Sequence, residues 1–204
     1  MTIALIGATG RVGSRLATEL LSHGHAVTGI ALHVPPDVRP GLTVLEADAT
    51  RPDSLAPRLM GHDGVISALR FVTSDADALI AAVKTAGVKR LLVVSGAGSL
   101  EIAPGKTLMD TDGFPDAFKT DAKARARFLE NSCRSLISTG PFFPSADFAP
   151  GERTGRFRLG GDQLLTDAKR KSHVSMEDSA IAMVEEVEQP VQSRQQASEG
   201  HHHG

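Results

Sequence analysis

A short apolar strand, Thr2-Ile3-Ala4-Leu5-Ile6, runs straight into Gly7-Ala8-Thr9-Gly10-Arg11-Val12-Gly13, and a helical pattern from Ser14 to Ser22 follows at once. This order narrows the fold sharply. Glycines let the backbone turn tightly and approach a ligand closely. The helix behind them offers unpaired N–H groups and the positive end of its dipole. A strand, a glycine turn and a helix in that order form a cradle for a pyrophosphate, and hence for a dinucleotide.

The rest of the chain extends the same pattern. Apolar runs at Ala26–Leu32, Leu42–Glu46, Gly64–Ala68 and Arg90–Ser95 alternate with helical stretches at Asp53–Leu59 and Asp75–Ala86. Strands alternating with helices predict a doubly wound parallel sheet of the Rossmann type. Arg90–Ser95 is so apolar that it should be central. A second glycine turn, Gly96-Ala97-Gly98-Ser99, opens a long loop to Phe118. A helix, Lys119–Ser132, and a sixth strand within Ser135–Phe143 come next. A hairpin is expected over Gly155–Leu165 around Gly160-Gly161, and Ser175-Met176-Glu177-Asp178 has capping-box spacing for a helix to Glu188. The expected organisation is one domain over 1–190, with a small C-terminal hairpin-plus-helix lobe on the substrate side at about 145–175 and a flexible tail, 191–204.

Composition excludes several function classes. A net charge of −2 with 23% charged residues disfavours nucleic-acid binding. The single cysteine, Cys133, allows no internal disulfide and no cysteine-based zinc site; it reads as an inert packing thiol. No run reaches the roughly 20 apolar residues of a membrane span. Together these fit a cytoplasmic protein acting on a small molecule; monomer or homodimer they leave open. The terminal His201-His202-His203 reads as a frayed tail, so no metal site is expected.

The spacing Gly7-x-x-Gly10-x-x-Gly13 with Thr9-Gly10-Arg11 resembles the extended and atypical branches of the short-chain dehydrogenase/reductase superfamily. More closely, Ser95–Glu101, Pro150–Gly155 and Leu159–Leu165 resemble the NmrA-like, NAD(P)H-binding proteins often described as NADH-flavin reductases. The resemblance implies a cofactor site built from Gly7, Thr9, Gly10, Arg11, Val12 and Gly13. It adds Asp48 and Ala49 beside the adenine, and Ser67, Ala68 and Leu69 along the cofactor. The end of strand 2 selects between NAD and NADP: a carboxylate binds the ribose 2′-OH, whereas an arginine accepts a 2′-phosphate. Ala31-Leu32-His33 has no acid there, and Leu32 stands where the family usually places arginine. Arg11 and His33 reach a 2′-phosphate, or are solvated surface residues. The expectation is NADP(H) over NAD(H).

The chain contains no tyrosine and no tryptophan. In most members of the superfamily a tyrosine, assisted by a lysine, gives a proton to a carbonyl as hydride arrives. Here the matching segment ends Phe118-Lys119, and a phenyl ring has no proton to give. Lys119 holds the nicotinamide ribose or is merely a solvated lysine. Ser95 and Ser99 orient substrate or stabilise their turn, and Phe142 and Phe143 floor the nicotinamide site or simply pack in the core. These constraints fit hydride transfer to a flavin-like or quinone-like acceptor, whose proton can come from solvent. Two other readings stay open. One is a non-catalytic NADP(H)-binding sensor. The other is an enzyme using His173, Asp110, Asp112 or Asp147 as its acid or base.

Overall fold

The computed structural model describes residues 1–70, 76–133, 138–190 and 195–199, with side chains outside 125–127, 129–143 and 195–199. Strands β1 (Thr2–Ile6), β2 (Ala26–Ala31), β3 (Leu42–Glu46), β4 (Gly64–Ser67), β5 (Arg90–Val94), β8 (Ser138–Phe143), β10 (Phe157–Gly160) and β12 (Gln195–Glu199) form one sheet, ordered β10-β12-β8-β5-β4-β1-β2-β3. Its pairings are parallel except for β10, which runs antiparallel to β12. The order reverses at β1, which lies between β2 and β4. That is the topological switch point at which open α/β sheets bind ligands.

Alternation along the strands makes the sheet doubly wound. Ile3 and Leu5 face a core shared with α1 (Arg11–Ser22) and α5 (Met176–Glu188), through Leu16, Leu20, Met183 and Val187. Ala4 and Ile6 face the opposite core, where α2 (Pro52–Leu59), α3 (Ala76–Thr85) and α4 (Asp116–Cys133) contribute Leu55, Leu79, Val83 and Phe128. In β5, Leu92 and Val94 join the first core, and Leu91 and Val93 the second. A strand buried on both faces must be apolar throughout, which is why Leu91-Leu92-Val93-Val94 reads so clearly. Among the described residues no helix is long and apolar enough to cross a membrane.

Four expectations are corrected. The hairpin over Gly155–Leu165 does not form: β10 pairs instead with β12, Phe157 opposite Glu199. The tail expected to be flexible over 191–204 thus contributes a strand, Gln195–Glu199, which also pairs with β8; His201–His203 lie outside the described residues. The long loop from Gly96 holds a 3₁₀ turn (Ala97–Ser99), a small antiparallel pair, β6 (Glu101–Ala103) with β7 (Lys106–Thr107), and a second 3₁₀ turn (Leu108–Asp110). The capping box at α5 is half made. Ser175 Oγ accepts the Asp178 N–H at 2.9 Å, but the Asp178 carboxylate serves the 154–155 backbone instead. The lobe is further stitched by a two-stranded parallel pair, β9 (Asp147–Ala149) with β11 (His173–Ser175).

Candidate functional site

The glycine turn meets the requirements of a pyrophosphate cradle. Gly7 adopts φ +79°, a left-handed conformation that favours glycine, and its N–H donates to Ile30 O at 2.8 Å. Gly10 N–H donates to Gly7 O at 3.0 Å and closes the turn. Gly13 is pressed against it: a Cβ there would lie 2.0 Å from Gly7 O and 2.8 Å from Gly7 C. Helix α1 can therefore start directly behind the turn, at Arg11. It has no side-chain cap and no acidic residue in its first turn. The first amide to find an intrahelical acceptor is that of Ser14, bonded to Gly10 O. The amides before it point out of the helix end, where an anionic ligand would accept from them.

The neighbouring strand ends complete this edge. Ala68 and Leu69 overlie Gly7, with Leu69 Cδ2 3.0 Å from where a Gly7 Cβ would stand. Ser67, the last residue of β4, is buried. Thr9, Gly10 and Arg11 are exposed, whereas Val12 packs onto the core. Past β2, Leu32 and His33 are exposed beside the same edge. Asp48 folds back on Thr50, accepting from its N–H at 2.9 Å and its hydroxyl at 2.7 Å. These bonds lower its pKa, so it stays a carboxylate. Ala49 packs against the second core.

A cleft of about 460 Å³ opens at the C-terminal end of β5. Phe114, Phe118, Phe148 and Leu108 give it apolar walls, and Ser95, Arg70 and Asp121 bring the main polar groups. Ser95 is 8% exposed, yet among the described residues its Oγ has no hydrogen-bond partner. A buried hydroxyl left in this state costs about 1–3 kcal/mol. It fits a site whose ligand completes the bond. Phe118, 52% exposed, lays its ring at the rim.

The other expected site residues lie outside this lining or outside the described side chains. Phe118 and Ala122 are four apart on α4 and share a face, whereas Lys119 is turned about 100° around the helix. Its ammonium pairs with Asp116 at 2.7 Å and does not line the cleft. Lys119 depresses the Asp116 pKa, through their hydrogen bond first and charge second. Ser99 ends the 3₁₀ turn, also outside the lining. Phe142 and Phe143 close β8, but their side chains, like that of Cys133, lie outside the described residues. Of the alternative acids, Asp110 caps the 3₁₀ turn by accepting from Thr107 N–H and Oγ1, while His173 and Asp147 pair in register on β11 and β9. Neither these nor Asp112 lines the cleft. Asp121 and Arg70, which do, were not singled out by the sequence, though Asp121 lies one helical turn beyond Phe118.

The segment Pro150–Gly155 acts as a clasp. Arg153 forms a two-pronged pair with Glu19 of α1, at 2.6 and 3.0 Å, which lowers the Glu19 pKa and raises that of Arg153. Asp178, fully buried, accepts from Thr154 N–H and Oγ1 and from Gly155 N–H. Glu177 accepts from Gly151 N–H and pairs with Arg15. The 150–155 segment and the start of α5 are thereby tied to α1, the helix behind the glycine turn.

A family model described as NAD(P)H-binding matches residues 7–137, from the glycine turn to the end of α4 and beyond. Solved structures agree over nearly the whole chain. A protein from Bacteroides thetaiotaomicron, named provisionally as an epimerase, is 39% identical with a TM-score of 0.91, covering 100% of this chain and 99% of its own. One from Burkholderia pseudomallei, named provisionally as an exported protein, is 42% identical with a TM-score of 0.87, covering 97% and 99%. One from Streptococcus pneumoniae, named provisionally as an NADH-flavin reductase, is 30% identical with a TM-score of 0.85, covering 98% and 100%.

Proposed function

The chain belongs to the NAD(P)H-binding family, and from that premise we propose that it is an NAD(P)H-dependent reductase acting on a planar, flavin-like or quinone-like acceptor. The observation that carries this reading is the Ser95 hydroxyl, buried and unpartnered in the wall of an aromatic cleft. When bound, the reduced nicotinamide supplies a hydride, and a solvent proton completes reduction of the acceptor.

The chain's own groups do the positioning. The amides behind Gly10 and the close Gly7–Gly13 approach seat a pyrophosphate. Ser95 Oγ donates to, or accepts from, a ring substituent at the end of β5. Phe114, Phe118 and Phe148 provide faces for a flat ring and exclude water from it. Phe118 gives no proton, so acceptors that need one from the protein, such as simple ketones, are poor substrates. The name of the Streptococcus pneumoniae relative supports the same acceptor class. NADP(H) is favoured over NAD(H): the segment closing β2, Ala31-Leu32-His33, lacks a carboxylate to repel a 2′-phosphate, and Arg11 and His33 are the exposed groups that would reach one.

Oxidation of NADPH and NADH by the full chain, with riboflavin, FMN, menadione and a simple ketone, tests this proposal. The expected pattern is turnover with the flat acceptors and none with the ketone. A second reading, a cofactor-binding sensor without catalysis, is favoured by one observation. The Lys119 ammonium is engaged by Asp116, so both members of the tyrosine–lysine pair are missing from the cleft. Tight NADPH binding with no oxidation by any acceptor would select it.

A further inference from the structure

Beside the cleft the chain carries a run of three cations, Lys169-Arg170-Lys171, all exposed. The loop that presents them is tightly built. Asp167 Oδ1 accepts from the N–H groups of Lys169 at 2.8 Å and Lys171 at 2.7 Å. Asp167 N–H donates to Lys171 O at 2.8 Å, and Arg170 N–H donates to Asp167 O at 3.0 Å. One oxygen of the Asp167 carboxylate is thus bonded to backbone amides. Among the described residues Arg170 is the one non-glycine at positive φ, +61°. Glycine or asparagine would take that conformation at lower cost, yet the position carries a cation.

The loop's place follows from strand register. On β11 His173 lies opposite Asp147 of β9, in parallel. Continuing two residues back sets Lys171 level with Ser145, between Pro144 and Ala146, which both line the cleft. Ser172 fixes this junction: its carbonyl accepts from Asp147 N–H at 2.8 Å and its Oγ from Ala146 N–H at 3.3 Å. Exposed Arg158 of β10 reaches the loop, its Nη2 donating to Thr166 O at 2.8 Å. A rigid cationic rim thus borders one side of the aromatic cleft, and Arg70 lies in its lining.

We infer that the acceptor is a planar ring with an anionic arm, a phosphorylated flavin in preference to its uncharged counterpart, and that Lys169 and Lys171 receive the arm while the ring enters the cleft. The inference rests on the planar-acceptor reading above, and deepens it by assigning charge to the substrate. Lysine ammoniums at a cleft rim act as point charges for phosphate and raise the capture rate of an anion, an effect that salt screens.

The test compares FMN with riboflavin, which differ only in the phosphate, using the full chain and its K169A/K171A variant. Two readouts are taken: kcat/KM for NADPH oxidation, and flavin binding by fluorescence anisotropy in the presence of NADP⁺. The expected result is an FMN preference of about fivefold or more at low ionic strength. It should shrink toward one as salt is raised to about 0.5 M, and it should shrink likewise in the variant. Equal handling of the two flavins, or an FMN preference that survives both salt and the double substitution, overturns the inference while riboflavin turnover leaves the planar-acceptor reading intact. If neither flavin is reduced, the acceptor reading falls. The anisotropy ratio then decides the anionic rim by itself.

Discussion

Gly13→Ala is the sharpest perturbation of the cofactor cradle. The added Cβ would lie 2.0 Å from Gly7 O, 2.8 Å from Gly7 C and 2.9 Å from Ala8 Cα, all backbone atoms that no side-chain rotation can clear. Restoring ordinary contact requires α1 to recede from the turn by about 1.4 Å. Overpacking of this kind costs about 1–3 kcal/mol, and each kcal/mol lowers Tm by about 2–4 °C in a chain of this size. The same displacement stretches an N–H···O contact of about 2.9 Å beyond bonding range. Losing two bonds to a charged phosphate at about 1.5 kcal/mol each removes about 3 kcal/mol, or roughly 150-fold in affinity. Thermal unfolding with and without NADPH reads both effects. At a concentration about 100 times the wild-type Kd, ligand stabilisation should fall from about 2.7 to about 0.3 kcal/mol. Gly10→Ala is the companion, because its Cβ would meet Gly7 O alone, at 3.2 Å. It should cost under about 1 kcal/mol of stability and still weaken cofactor binding at the exposed lip of the turn. A Gly13→Ala protein that melts like wild type and keeps its full NADPH shift would refute the cradle.

Four further outcomes follow from named contacts. Ser95→Ala removes an unpartnered buried hydroxyl, so the ligand-free protein should gain up to about 1 kcal/mol of stability while kcat/KM falls; calorimetry and turnover on one preparation check the opposite signs. Phe118→Tyr should leave NADPH affinity within about twofold and confer no ketone reduction, because Lys119 is turned to Asp116; ketone turnover would contradict that geometry. Asp178→Ala leaves Thr154 N–H, Thr154 Oγ1 and Gly155 N–H facing an empty buried site, and should cost about 3–5 kcal/mol in chemical denaturation. His23, bonded to Glu188 and close to Glu19, has its pKa raised above 6.5, through the Glu188 hydrogen bond first. The folded state binds the proton more tightly. Its stabilisation is therefore complete below about pH 6.5 and is lost as pH rises through the folded value. His23→Gln should flatten that part of the stability profile.

The sequence made the glycine turn legible because its chemistry is local: Gly7, Gly10 and Gly13 answer to neighbours within a few residues, and the flanking periodicities give strand and helix directly. Ser95 was legible for a related reason, since it ends the most apolar strand and ligands gather at that edge. The Lys119–Asp116 pairing is not legible in the same way, because adjacency in sequence is not adjacency on a helix, where one step turns the side chain away from the face of Phe118. The hairpin expected over Gly155–Leu165 gives way because β10 finds its partner not across the Gly160-Gly161 turn but in β12, more than thirty residues on. The Glu19–Arg153 pair, 134 residues apart, and the diversion of Asp178 from its capping role left no local signal at all. Long-range polar pairing is the part of this fold that periodicity does not encode.

The proposed reaction is hydride transfer from the reduced cofactor to a flat acceptor in the cleft beside Ser95. Anaerobic single-turnover oxidation of NADPH, protiated or deuterated at the transferring position of nicotinamide C4, tests it most directly with FMN and menadione as acceptors. Oxidation should require the acceptor, be slowed by deuterium, and be weakened in Ser95→Ala. Bound NADPH that stays reduced in the presence of every acceptor would contradict it.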